Sequence, residues 1–186
     1  MSKQSVLKMF CAVAAAVLVG LGSGLPTLAS ADMSQWEETR LALRIQVDTR
    51  RNRVWVLSLN GVYVYDSRTR KLVKRVVLPD WTVVKEGFVC GPDLVLAASG
   101  AALVTSKIMP IIWEIDAESM AVREHNLALD ADNDKDFGFT ALSPGPGGRE
   151  LLGVSSPLGI VWRIDLAAGN AQKVQFSKPM RGSFGV

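Results

Sequence analysis

Val62-Tyr63-Val64-Tyr65-Asp66 returns as Ile112-Trp113-Glu114-Ile115-Asp116 and again as Val161-Trp162-Arg163-Ile164-Asp165. The closing aspartates stand 50 and 49 residues apart. In every copy the residue four before the aspartate is β-branched, the residue three before it is aromatic, and the residue directly before it is Tyr or Ile. Self-similarity at a period of 20 to 50 residues marks a chain built from stacked supersecondary units, each too small to bury its own apolar face. The phrase therefore predicts architecture before any chemistry.

Working outward from the phrase, the flanking residues read as strands. Arg53 to Leu59 and Val62 to Tyr65 are rich in β-branched and aromatic residues and are separated by Asn60-Gly61. That dipeptide predicts a type I′ hairpin, whose two central residues both need positive φ. After each aspartate a short polar stretch predicts a tight turn, in which the carboxylate accepts backbone N–H groups a few residues on. Ahead of the later phrases lie Gly/Phe runs, Glu86-Gly87-Phe88-Val89 and Gly138-Phe139-Thr140-Ala141-Leu142, and Gly182 to Val186 begins the same pattern as a further strand. Asp93 to Ser99 and Glu150 to Ser156 are expected as the second strands of their units. The third unit is clearest, with strands near 138–143, 150–155, 159–164 and 171–176. The units span about 41–79, 83–129 and 137–177. Four short antiparallel strands per repeat predict an all-β fold, a partial β-propeller of about three four-stranded blades.

The N-terminus is read separately. Lys3 and Lys8 precede an apolar stretch, Met9 to Leu21, that runs on to Leu28-Ala29-Ser30-Ala31. This predicts a secretory signal peptide over 1–31, cleaved before Asp32, and a periplasmic or secreted location. The stretch falls short of the roughly 20 apolar residues of a membrane helix, so no stable span is expected after cleavage. Of 21 basic residues two lie in this segment, leaving 19 against 18 acidic ones. So near-neutral a mature chain argues against nucleic acid as a partner. Only Cys90 remains after cleavage, so no intrachain disulfide is expected and packing alone must hold the fold.

The phrases at 61–69 and 159–165 resemble the third strand and following turn of YVTN-type blades, in the superfamily that includes the quinoprotein amine dehydrogenase heavy-chain propellers. The likeness extends over most of residues 40 to 180. It implies a propeller used as a binding platform or subunit scaffold. In amine dehydrogenases the redox cofactor belongs to the smaller subunit, so the resemblance assigns this chain no catalytic residue and no cofactor. Propellers close with about four to eight blades. Three units predict ring completion by a second copy or another propeller chain, or a sequence that is a piece of a longer parent.

Candidate chemistry is sparse. The single histidine, His125, is expected exposed on an outer strand, and a general base needs a positioned partner. No G-x-S-x-G elbow is present, since Pro157 follows Ser155-Ser156. Trp113 and Trp162 are expected between blades, whereas Trp36, Trp55 and Trp81 fall outside the repeat register, with Trp81 on an interblade connection that can line the upper face. Asp130, Asp132, Asp134 and Asp136 alternate in one loop, and hard carboxylate oxygens at that spacing suit calcium. Lys135 stands where an EF-hand loop has glycine and Ala141 where it has glutamate, so a solvated acidic connection is the competing reading. The functional expectation is an exported, non-catalytic propeller-type module for binding a periplasmic protein or small ligand. The alternative is a scaffold subunit or remnant of a quinoprotein-like oxidoreductase.

Overall fold

The computed structural model describes residues 41–82, 91–130, 138–145, 148, 150–156 and 159–177. All belong to the larger of two compact units, Thr39–Val186. The signal segment, Trp36, Cys90, three of the four loop aspartates and residues 182–186 lie outside the described residues.

Thirteen strands are described, and they form three sheets. The first is β1 (Ala42–Asp48), β2 (Arg53–Ser58), β3 (Gly61–Asp66) and β4 (Leu72–Val76), paired in chain order. The second is β5 (Leu94–Leu96), β6 (Ala102–Thr105), β7 (Ile111–Ile115) and β8 (Val122–Asn126), again in chain order. The third has β10 (Ala141–Pro144), β11 (Leu151–Ser155), β12 (Ile160–Asp165) and β13 (Asn170–Lys173), with β9 (Ala128–Leu129) added at its outer edge. The repeat phrase is the third strand each time.

Alternation along the strands supplies two apolar faces per sheet, and the sheets bury them against one another. Trp55, Leu57, Val62 and Val64 of the first sheet share a core with Leu94, Val104, Trp113 and Ile115 of the second. Leu103, Ile112 and Leu127 from the other side of the second sheet meet Leu142, Trp162 and Ile164 of the third. Trp113 and Trp162 thus sit between sheets, as their shared repeat position predicts.

Three local readings are corrected. Ser58 pairs with Gly61, so the loop of the first hairpin is Leu59-Asn60, and neither residue has positive φ. Gly61 carries it instead, at 129°. A Cβ there would lie 2.6 Å from the Val76 carbonyl oxygen, so close approach of β4 and the backbone angle both demand glycine. Second, among the described residues, which leave out the Glu86–Val89 run, Leu94–Leu96 is the first strand of its sheet and Ala102–Thr105 the second. A turn closed by Gly100 N–H donating to the Ala97 carbonyl (2.8 Å) sends the chain straight back. Third, the last sheet has five strands among the described residues. After β8 the chain runs parallel to β13, Asn170 pairing with Ala128 and Ala171 with Leu129, which gives the outer strand of the third sheet a second partner.

The aspartate turns behave as their chemistry predicts. Asp66 Oδ1 accepts the N–H groups of Arg68 (3.0 Å) and Thr69 (2.7 Å), and Asp116 Oδ1 those of Glu118 (3.0 Å) and Ser119 (2.7 Å). Asp165 Oδ1 accepts from Ala168 at 2.9 Å. Asp48, at the end of β1, does the same for Arg50 and Arg51. In all four turns the residue four after the aspartate is left-handed: Asn52, Arg70, Met120 and Gly169, with φ between 52° and 66°. A left-handed L-residue costs roughly 1–2 kcal/mol, part of which glycine returns through its unfolded-state entropy. Arg70 is exposed. Arg70→Gly is therefore expected to stabilise the protein by about 0.5 kcal/mol, read as a higher urea midpoint with an unchanged slope.

Candidate functional site

The first strands β1, β5 and β10 run side by side at the inner end of the three sheets, with β5 between its neighbours. Asp93, just before β5, joins them. Its Oδ1 accepts Arg44 Nε from β1 at 3.1 Å and the Leu94 N–H at 2.9 Å, and its Oδ2 accepts the Leu142 N–H of β10 at 2.9 Å. Its own N–H donates to Thr105 Oγ1 at 2.8 Å, and the Thr105 N–H returns to the Asp93 carbonyl at 3.0 Å. One half-buried carboxylate thus ties three sheets at the axis, leaving Arg44 partly in solvent. The sequence reading placed Asp93 within a strand and gave it no role.

A second polar join spans the first two sheets at the turn end. Arg51 Nε meets Glu118 Oε1 at 2.5 Å and its guanidinium reaches Asp48 Oδ2 at 3.1 Å, while Arg53 donates to the Ala117 carbonyl. Between the β1–β2 turn and the β5–β6 turn lies an open groove of about 240 Å³, bordered by Asp48, Arg50, Leu96, Ala98 and Gly100.

A third polar group was not foreseen. Ser58 and Ser155 end the second strand of their blades, Ser106 directly follows that of the second blade, and all three are buried. Ser155 Oγ accepts Trp162 Nε1 at 3.0 Å and donates to the Gly138 carbonyl at 2.8 Å. Ser58 Oγ donates to the Leu41 carbonyl at 3.3 Å. Ser106 Oγ instead caps the N–H groups of Ile108 and Met109, and Trp113 Nε1 is buried with no hydrogen-bond partner among the described residues.

The candidates named from sequence fall as follows. Asp130 Oδ1 accepts the Lys173 N–H at 2.8 Å, and the Asp130 N–H donates to the Ala171 carbonyl. Asp132, Asp134 and Asp136 lie outside the described residues. His125 is on the outer strand β8 as expected, but it is half-buried, its Nε2 2.9 Å from Glu114 Oε2. Both project from the same face of neighbouring strands, at diagonal positions, which puts the ring over the sheet and out of bulk solvent. Trp81 is a packing residue, its Nε1 donating to the Leu59 carbonyl at 2.9 Å and its ring edge-on to Trp113 at 5.5 Å.

The turn carboxylates also make an acid-sensitive set. Hydrogen bonds from Thr69, chiefly its backbone N–H, hold the Asp66 carboxyl below its ordinary range, and those from Ser119 do so for Asp116. At Asp48 burial opposes ionisation, but bonds from Arg51 outweigh it and the result is again a lowered pKa. A lowered folded-state pKa contributes stability that is complete above the unfolded value near 3.9 and is lost as pH falls through the folded value. Urea midpoints are expected to decline below about pH 4, and an Asp66→Ala, Asp116→Ala double variant to show a flatter decline.

No protein-family model matches this sequence, and no curated protein matches it. Solved structures do. A catalytically inactive virginiamycin B lyase from Staphylococcus aureus, crystallised with quinupristin, superposes with a TM-score of 0.55 at 14% identity, over 76% of this chain and 43% of that one. A streptogramin B lyase gives 0.51 at 13%, over 72% and 40%. Hydrazine synthase from Kuenenia stuttgartiensis gives 0.50 at 20%, over 68% and 34%. The fold is a partial β-propeller. Its three blades span less than half the length of the propeller proteins they match. Identity at this level speaks to fold alone, and two of the three are enzymes by name as lyases and the third as a synthase.

Proposed function

We propose that this protein is an exported, non-catalytic binding module, its three blades of YVTN type forming part of a larger ring. The reading rests chiefly on the axial join. A reacting carboxylate needs an atom to act on within hydrogen-bond reach, whereas Asp93 is committed to Arg44, Leu94 and Leu142, contacts that hold the inner strands in place. The turn aspartates and the Arg51 cluster are committed in the same way. What is left to present is shape, namely the turn ends and the inner strands, against which a periplasmic protein or small ligand would dock. A scaffold for a cofactor-bearing redox subunit is the same platform with a different partner.

The test is expression of the full chain in a Gram-negative host, followed by osmotic-shock fractionation, intact mass and visible absorption of whatever co-elutes. The reading expects periplasmic protein lacking residues 1–31 and a co-eluting partner without a visible chromophore. A coloured partner would shift the reading to the redox scaffold. Cytoplasmic retention at full length would end the proposal of export.

A further inference from the structure

We infer that a second copy of this chain seats on the free faces of the blade stack, closing a six-bladed ring. This rests on the propeller-module reading above and names the partner of its open ends.

Equivalent repeat positions are buried at both formed interfaces and open at the two ends of the stack. Each blade offers the next an apolar triplet: one residue from its second strand, one from its third, and the residue two beyond the third-strand residue's partner in or after the fourth strand. In the first blade these are Trp55, Val62 and Leu78, which are 0%, 0% and 2% exposed within the core shared with the second blade. Strand register carries the same positions to Leu103, Ile112 and Leu127, 2%, 0% and 5% exposed against the third blade. In the third blade they become Leu152, Val161 and Phe176. All three are apolar, yet Leu152 and Val161 are only half-buried and Phe176 is 50% exposed. Among the described residues no sheet covers them.

The receiving side shows the complement. On each first strand one residue faces the preceding blade: Leu94, paired with Val104, is 0% exposed, and Leu142, paired with Gly153, is 6% exposed. The matching residue of the first blade is Ile45, paired with Val56, and it is 58% exposed, with Val47 on the same face at 55%. Val56, Tyr63 and Tyr65 on that face are buried, so its bare part is the inner strand. The two positions that both formed interfaces bury are thus the two left open at opposite ends. A giving face and a receiving face on one chain make a heterologous contact, which two copies close twice through a two-fold axis. Six blades lie within the range of about four to eight at which such rings close.

The experiment is light scattering after size exclusion on the full chain as exported, with far-ultraviolet circular dichroism on the same peak. The expected result is a two-chain mass. Phe176→Asp and Ile45→Asp should each give a one-chain mass with an unchanged β spectrum. Mixing them should restore a two-chain species, because each variant keeps the face the other has lost. Should either aspartate reduce the β signal, Phe176→Thr and Ile45→Thr replace them. A one-chain mass for the unaltered protein, a mass of three or more chains, or a dimer indifferent to both substitutions would overturn the inference. A one-chain protein that still binds an exported partner would leave the binding-module reading standing and assign ring completion to that partner.

Discussion

Gly138→Ala is expected to destabilise the protein by about 3 kcal/mol or more, at or beyond the upper end for overpacked sites. The reason is contact with backbone. A Cβ on residue 138 would fall 1.9 Å from the Ser106 carbonyl oxygen and 2.5 Å from that of Met109. Neither oxygen can swing aside as a side chain would, because both belong to the hairpin that turns the second blade from β6 to β7. The neighbouring N–H groups lock the same junction, Gly138 donating to the Lys107 carbonyl at 3.1 Å and Phe139 to that of Ser106 at 2.7 Å. An added methyl would have to separate the second and third blades. With total stabilities commonly 5–15 kcal/mol, the loss should appear in chemical denaturation as a large fall in midpoint. A midpoint unchanged from the parent would mean that the two blades do not approach as closely as this.

Trp162→Ala is expected to cost about 3–5 kcal/mol, the range for emptying a large aromatic site in a core. Trp162 is fully buried between blades and ends a chain of hydrogen bonds through Ser155 to Gly138. The informative comparison is with phenylalanine. Trp162→Phe removes a donor that Ser155 accepts, whereas Trp113→Phe removes a buried N–H that has no partner among the described residues. Leaving a buried polar group unpaired costs roughly 1–3 kcal/mol, so Trp113→Phe should be the milder change by about 1 kcal/mol or more, although both replace the same repeat residue. Equal losses in urea titrations would remove the hydrogen-bonded chain as the source of the difference.

The joins also explain how the three sheets are held together. Apolar residues supply the bulk of the attraction between blades, at about 25 cal/mol for each Å² of apolar surface buried. The polar contacts at Asp93, Asp48 and the three serines then select one arrangement of the sheets, because each satisfies a buried or half-buried group that would otherwise be left without a partner. The exposed Arg51–Glu118 pair adds little by comparison, Glu118 being 69% exposed.

Local chemistry was legible in the residues alone. The repeat phrase identified the third strand of every blade, the aspartate turns followed from carboxylates that can reach backbone N–H groups two or three residues away, and Trp113 and Trp162 were legible as interblade packing because they recur at one position. The hairpin at Asn60-Gly61 was misread by one residue, since Gly61 answers to the approach of β4, a strand that arrives only after the chain has turned again. Unequal loops between second and third strands, two residues after Ser58 and four after Ser106 and Ser155, hid the recurring serine. Which carboxylate would matter most depended on how the sheets came together. Arg44, Asp93 and Leu142 are each 49 residues from the next, and no local preference in any of them records that three first strands converge on one axis. Nor could a single repeat reveal that Phe176 and Ile45 occupy positions buried elsewhere, because burial is a property of the neighbouring blade and not of the residue.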